Sequence, residues 1–88
     1  MPRADKEWLI SNIKNLRAEI LWDDFVWVLT NYFGFRMINK PGSRRVFVKG
    51  TVRFNAYEPH GRRPFVHDKD RRRAIEAIEA SEAEEAEK

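Results

Sequence analysis

The sequence predicts a small α+β domain ordered helix, helix, three-stranded antiparallel sheet, helix. Three observations carry that prediction. Apolar residues recur at helical spacing in two early segments, three later segments alternate at a period of two around glycine-containing turns, and a last segment returns to helical spacing. At 88 residues the chain has room for one domain around one core.

The elements follow in order. In residues 4–20, ADKEWLISNIKNLRAEI, Leu9, Ile13, Leu16 and Ile20 fall at helical spacing and Asp5 stands as N-cap. In residues 21–35, LWDDFVWVLTNYFGF, Trp22, Phe25, Val26, Leu29 and Phe33 repeat on one side; Asp23 or Asp24 sits in the first turn and Gly34 supplies the stop. Strands are expected at FRMIN (35–39), RRVFVKG (44–50) and TVRFNAY (51–57), with Pro41-Gly42 and Lys49-Gly50 as turns. After the loop EPHGRRPFVHDK, a helix starting near Lys69 or Asp70 carries Ala74, Ile75 and Ile78 inward. Beyond Ile78 no apolar stripe continues although the residues are helix-forming, so EASEAEEAEK is expected to fray or to project as a solvated helix. The expected organisation is a domain over residues 1–80 and an acidic tail over 81–88.

Composition narrows the function classes. Apolar residues make up 42% of the chain and aromatics 12%, enough for a core without covalent help. There is no cysteine, so disulfides and thiolate metal sites are excluded, and a reducing, cytoplasmic setting is expected. No apolar run approaches the roughly 20 residues of a spanning helix, and the charged N-terminus does not read as a signal peptide, so no membrane partner is expected.

The net charge of +3 conceals an asymmetry. Residues 1–35 carry 4 basic and 5 acidic residues, residues 36–75 carry 12 and 3, and residues 76–88 carry 1 and 6. The segments thus have net charges of −1, +9 and −5. So basic a middle is the footprint of a surface that meets nucleic-acid phosphates or an acidic protein; a merely solvated charged surface is the plainer reading.

Alternation divides each strand between two faces. Val52, Phe54 and Ala56 oppose Thr51, Arg53, Asn55 and Tyr57; Arg44, Val46 and Val48 oppose Arg45, Phe47 and Lys49. Phe47 and Tyr57 beside Arg45, Arg53 and Lys49 would give an RNA-facing surface its cations for phosphates and its rings for bases. Phe47 as cover for an edge of the core is the other reading.

Read together, LWDDFVWVLTNYFGF, GSRRVFVKG, an extended segment ending in Glu58-Pro59-His60 and a closing helix resemble the HicA family of bacterial toxins. The resemblance spans roughly Leu21 to Ala80, and its most specific pieces are Gly42-Ser43 before a basic strand and Pro59-His60. It implies the architecture of a double-stranded RNA-binding domain. It also implies an mRNA interferase of a toxin–antitoxin system, neutralised by a HicB-like antitoxin that covers the active face.

Many family members carry a catalytic histidine directly after Gly-Ser, where this chain has Arg44. Metal-free RNA cleavage needs a base for the 2′-OH and a cation for the charge developing on phosphorus. Arginine serves only the second need, because it stays protonated. The base would then be His60, with Arg44 as its cationic partner and no metal or cofactor required. Ser43, Arg45, Lys49, Arg53, Tyr57, Arg62 and Arg63 complete the expected RNA-binding set.

Plainer roles stand beside these. Ser43 can simply close its turn, His60 can be a loop residue bonded to backbone, and His67 can neighbour a helix start capped by Asp68 or Asp70. His67, Asp68 and Asp70 match no metal-ligand spacing. Arg71, Arg72 and Arg73 open a helix against its macrodipole, which points to use or to pairing with Glu76. Trp8 and Trp27 fall off the apolar stripes, at an interface or at a partly covered core edge. The expectation is a HicA-like toxin that binds and cleaves mRNA; the alternative is a non-catalytic module of that fold that binds RNA or an acidic protein, with an adaptor that screens its own basic face as a third reading.

Overall fold

A computed structural model describes residues 5–61 and 64–86. Two helices, a three-stranded antiparallel sheet and a third helix follow one another along the chain, as the sequence predicts.

Helix α1 spans Lys6–Asn12, and the Asp5 carboxylate caps it by accepting the amides of Glu7 at 2.8 Å and Trp8 at 3.3 Å. The expected continuation to Ile20 does not form. The Asn15 side chain accepts the Arg17 amide at 3.1 Å and the Asn15 amide turns back onto the Asn12 carbonyl at 2.9 Å, so local asparagine bonds draw the chain into turns. Leu9, Ile13 and Ile20 are buried all the same.

Helix α2 spans Trp22–Trp27, with Asp23 and Asp24 in its first turn, and runs into a π-helical turn over Val28–Tyr32. There the Phe33 amide reaches the Val28 carbonyl at 3.1 Å, five residues back, and the Thr30 hydroxyl donates to the Val26 carbonyl at 2.8 Å. Gly34, at φ +79°, ends the segment in the left-handed region that favours glycine.

The sheet consists of β1 (Arg36–Asn39), β2 (Arg44–Lys49) and β3 (Val52–Tyr57), in spatial order β1-β2-β3. Lys49 pairs with Val52, Phe47 with Phe54 and Arg45 with Ala56. Directly opposed residues share a face, so Arg45, Phe47 and Lys49 lie on the side of Val52, Phe54 and Ala56, which is the side packed on the helices. Phe47 is therefore core, fully buried against Phe25 at 5.8 Å and stacked on Phe54 at 5.0 Å between ring centroids. The expected RNA-facing grouping of Phe47, Arg45 and Lys49 with Arg53 and Tyr57 had combined two faces. Any two-residue turn between β2 and β3 pairs odd with even positions, so parity alone assigns Phe47 to the core side.

The chain after β3 returns to the start of α2. The Trp22 amide donates to the Pro64 carbonyl at 2.8 Å and the Val66 amide to the Ile20 carbonyl at 2.9 Å. Helix α3 then runs from Asp68 to Ala86 with Ala74, Ala77, Ile78 and Ser81 buried. Of the two expectations for the stretch after Ile78 the helical one is found: its glutamates reach cations elsewhere in the chain, with Lys14 in the turn after α1 3.1 Å from Glu82 and Lys49 on β2 2.7 Å from Glu85.

Arg71, the first of the three arginines, is buried on the α3 stripe. Its guanidinium donates to the carbonyls of Asn12 at 3.0 Å, Ile13 at 2.7 Å and Asn15 at 2.9 Å, and to that of Ala18. Carbonyls in and after the last turn of α1, two of which also accept local amides, are thereby bound from another helix. Burial pushes the Arg71 pKa below its ordinary value, and the Asp68 carboxylate draws it back up. Among the described residues no helix is long and apolar enough to cross a membrane.

Candidate nucleic-acid interface

The sheet face turned away from the helices is built in rows. Arg36, Val48 and Arg53 form one row across the three strands, Ile38, Val46 and Asn55 the next, and Arg44 and Tyr57 a third. With strands about 4.8 Å apart, Arg36 and Arg53 stand roughly 10 Å from each other, and Arg44 lies about 13 Å along the strand from their row. No acidic residue occurs between Arg36 and Tyr57, against six cations.

Val46 at the centre is fully buried yet lies outside the main core cluster, and Ile38 and Val48 beside it are half-buried. The accessible apolar surface between the arginines is therefore that of half-buried Ile38 and Val48, and Tyr57, 44% exposed, borders it. Cations over an apolar floor with an accessible ring can engage phosphates and stack a base.

The remaining expected site residues divide as follows. Arg45 faces the helix side and its side chain is only 17% exposed; it donates to the carbonyls of Gly42 at 2.9 Å and Arg44 at 2.8 Å and pairs with Glu58 at 3.2 Å. It staples the β1–β2 turn. Lys49 also lies on the helix side, committed to Glu85 and 6.0 Å from the centre of the Phe35 ring. The Ser43 carbonyl accepts the Glu58 amide at 2.8 Å, which continues the β2–β3 pairing past Arg44 and Tyr57, while the β1–β2 turn is closed by the Lys40 amide on the Arg44 carbonyl at 3.1 Å. The bond between Ser43 and Glu58 brings the segment of buried Pro59 and exposed His60 beside the turn that carries Arg44. Arg62 and Arg63 lie outside the described residues.

The sequence offers Asp70 as a cap of the last helix and Arg71 as a surface cation; both instead tie α3 to other parts of the chain. Asp70 is buried; its carboxylate accepts the Tyr57 amide at 3.0 Å and lies 3.5 Å from Arg73, fixing the end of β3 against α3. The signal for Arg71 was its position: residues 71, 74, 78 and 81 form one helical stripe, and Ala74, Ile78 and Ser81 are its small and apolar remainder. His67 is exposed at the start of α3, while Trp8 is exposed and Trp27 half-buried.

Comparisons with protein families, with curated proteins and with solved structures found no match for this chain.

Proposed function

We propose that this chain binds RNA through the open face of its sheet, as a HicA-like toxin would hold mRNA, and that a HicB-like antitoxin covering this face would neutralise it. The observation that carries the reading is the convergence of Arg36, Arg44, Arg53 and Tyr57 on one acid-free face with half-buried Ile38 and Val48 between them. Three arginines supply sequence-independent affinity through counterion release, and Tyr57 supplies stacking.

Cleavage is the second step of the proposal. The bond between the Glu58 amide and the Ser43 carbonyl favours it, because it draws the His60 segment to the turn of Arg44. In that arrangement His60 would take the 2′-OH proton and Arg44 would stabilise charge on the phosphate.

The test is incubation of the purified protein with mixed mRNA in EDTA, beside Arg44→Ala and His60→Ala variants, with cleavage and band shift read together. Cleavage that survives EDTA and is lost in His60→Ala establishes a metal-free interferase. RNA shifted intact by the wild type and released by Arg44→Ala establishes a binding module without chemistry. RNA neither shifted nor cut turns the reading to an acidic protein partner on the same face.

A further inference from the structure

The acidic end of α3 is poorly placed by the rules of an isolated helix. Its last turn holds carboxylates and no base, where the macrodipole favours the reverse. These carboxylates have defined destinations. Glu85 meets the Lys49 ammonium at 2.7 Å, and Glu84 accepts the Thr51 hydroxyl. Between them lies Gly50 at φ +59°, and a Cβ placed there would stand 3.7 Å from the second Glu84 oxygen, so the carboxylate lies close over the turn. An ammonium and a hydroxyl flanking a bare glycine turn are the donors that protein surfaces offer to phosphodiester oxygens. Here two adjacent carboxylates occupy them.

We infer that the β2–β3 hairpin tip, Lys49 to Thr51, is a second phosphate-binding site for the RNA backbone, held closed in the free protein by Glu84 and Glu85. The inference rests on the RNA-binding reading of the open face and adds to it a contact at the end of the same strands. The closure is readily displaced, since ion pairs this exposed contribute little and weaken with salt. Incoming phosphates exchange with the carboxylates one anion for another, leaving Lys49 neutralised throughout. Part of the protein's affinity for RNA is thereby withheld by its own helix. Glu82 and Glu79, which reach Lys14 at 3.1 and 3.9 Å, belong to the same helix end without touching the hairpin.

The test compares two double variants of the full chain with equal charge change. One is Glu84→Gln with Glu85→Gln, which frees the hairpin; the other is Glu79→Gln with Glu82→Gln, which does not. Affinity for a fluorescent single-stranded RNA is measured over a salt series. The inference expects the first variant to bind about 3- to 10-fold tighter at low salt, with a log–log salt slope steeper by about 0.7, the increment of one further phosphate contact on a single strand. The second variant should gain clearly less, and adding Lys49→Ala to the first should abolish the gain. Equal gains in the two double variants, or a gain that survives Lys49→Ala, overturn the inference and leave the RNA-binding reading intact. Absence of RNA binding by the wild type and every variant removes that reading and this inference together.

Discussion

Arg44 and Tyr57 face each other across the β2–β3 ladder, and both are exposed on the face opposite the main core cluster. One residue along, Arg45 stands opposite Ala56 on the packed side. Two neighbouring arginines of one strand therefore have different work, and the difference can be measured.

Replacing Arg44 with alanine should weaken RNA binding and flatten the log–log salt slope by about 0.7 on a single strand. Tyr57→Ala should cost about 1–3 kcal/mol of binding through lost stacking, with little change in slope. Fluorescence anisotropy over a salt series separates the two effects. Unchanged affinity in both variants would remove the open face as the binding surface.

Arg45→Ala should behave in the opposite way. Its guanidinium holds the carbonyls of Gly42 and Arg44 and pairs with Glu58, so its loss should lower stability by about 1–2 kcal/mol. The salt slope of RNA binding should stay at the wild-type value. Urea denaturation together with the anisotropy series checks both halves; a changed slope at full stability would show that Arg45 reaches phosphate after all.

Phe47→Leu should lower the denaturation midpoint by the equivalent of about 1–2 kcal/mol, because a ring packed against Phe25 and Phe54 becomes a smaller side chain. Affinity for RNA per folded molecule should not move. A loss of affinity without a loss of stability would place the ring on the binding surface and contradict the register.

Arg71→Met should be the most damaging of the substitutions considered, at about 3 kcal/mol or more, since the carbonyls around the end of α1 would lose their buried donors. Arg71→Lys should recover part of this, because an ammonium offers fewer donors and no fixed fork. Hydrogen exchange should localise the damage, with the amides of Leu9 and Ile10 losing protection before those of the sheet. Wild-type stability in Arg71→Met would mean that water satisfies those carbonyls equally well.

How much of this was legible in sequence depended on how local the deciding interaction was. The Asp5 cap, the three strands and the inward stripe of α3 rest on neighbours within a few residues, and the pattern of types displays them. The face of Phe47 depended on pairing between strands. Both halves of β2 mix arginine or lysine with apolar residues, so alternation alone left two readings, although the parity of a two-residue turn would have chosen between them. The shortening of α1 rests on local bonds of Asn12 and Asn15, a mark that the apolar spacing overrode; the π-helical turn rests on backbone detail with no compositional mark, and the choice between a frayed and a helical tail on partners far along the chain. The same holds for the candidate site: the basic excess was visible, while the division of its cations between an open face, a stapled turn and a covered hairpin tip was not.

The Arg71 staple also sets an order of events during synthesis. Its acceptors on Asn12, Ile13, Asn15 and Ala18 precede it by 53 to 59 residues. While the chain is being made from its N-terminus, the Asn12 and Asn15 carbonyls can find the local amides of Asn15 and Ala18, but the guanidinium that gathers all four acceptors is absent until the first turn of α3 has followed them out. The segment from Asn12 to Ala18 consequently gains its cross-chain fastening only after the whole sheet has been made.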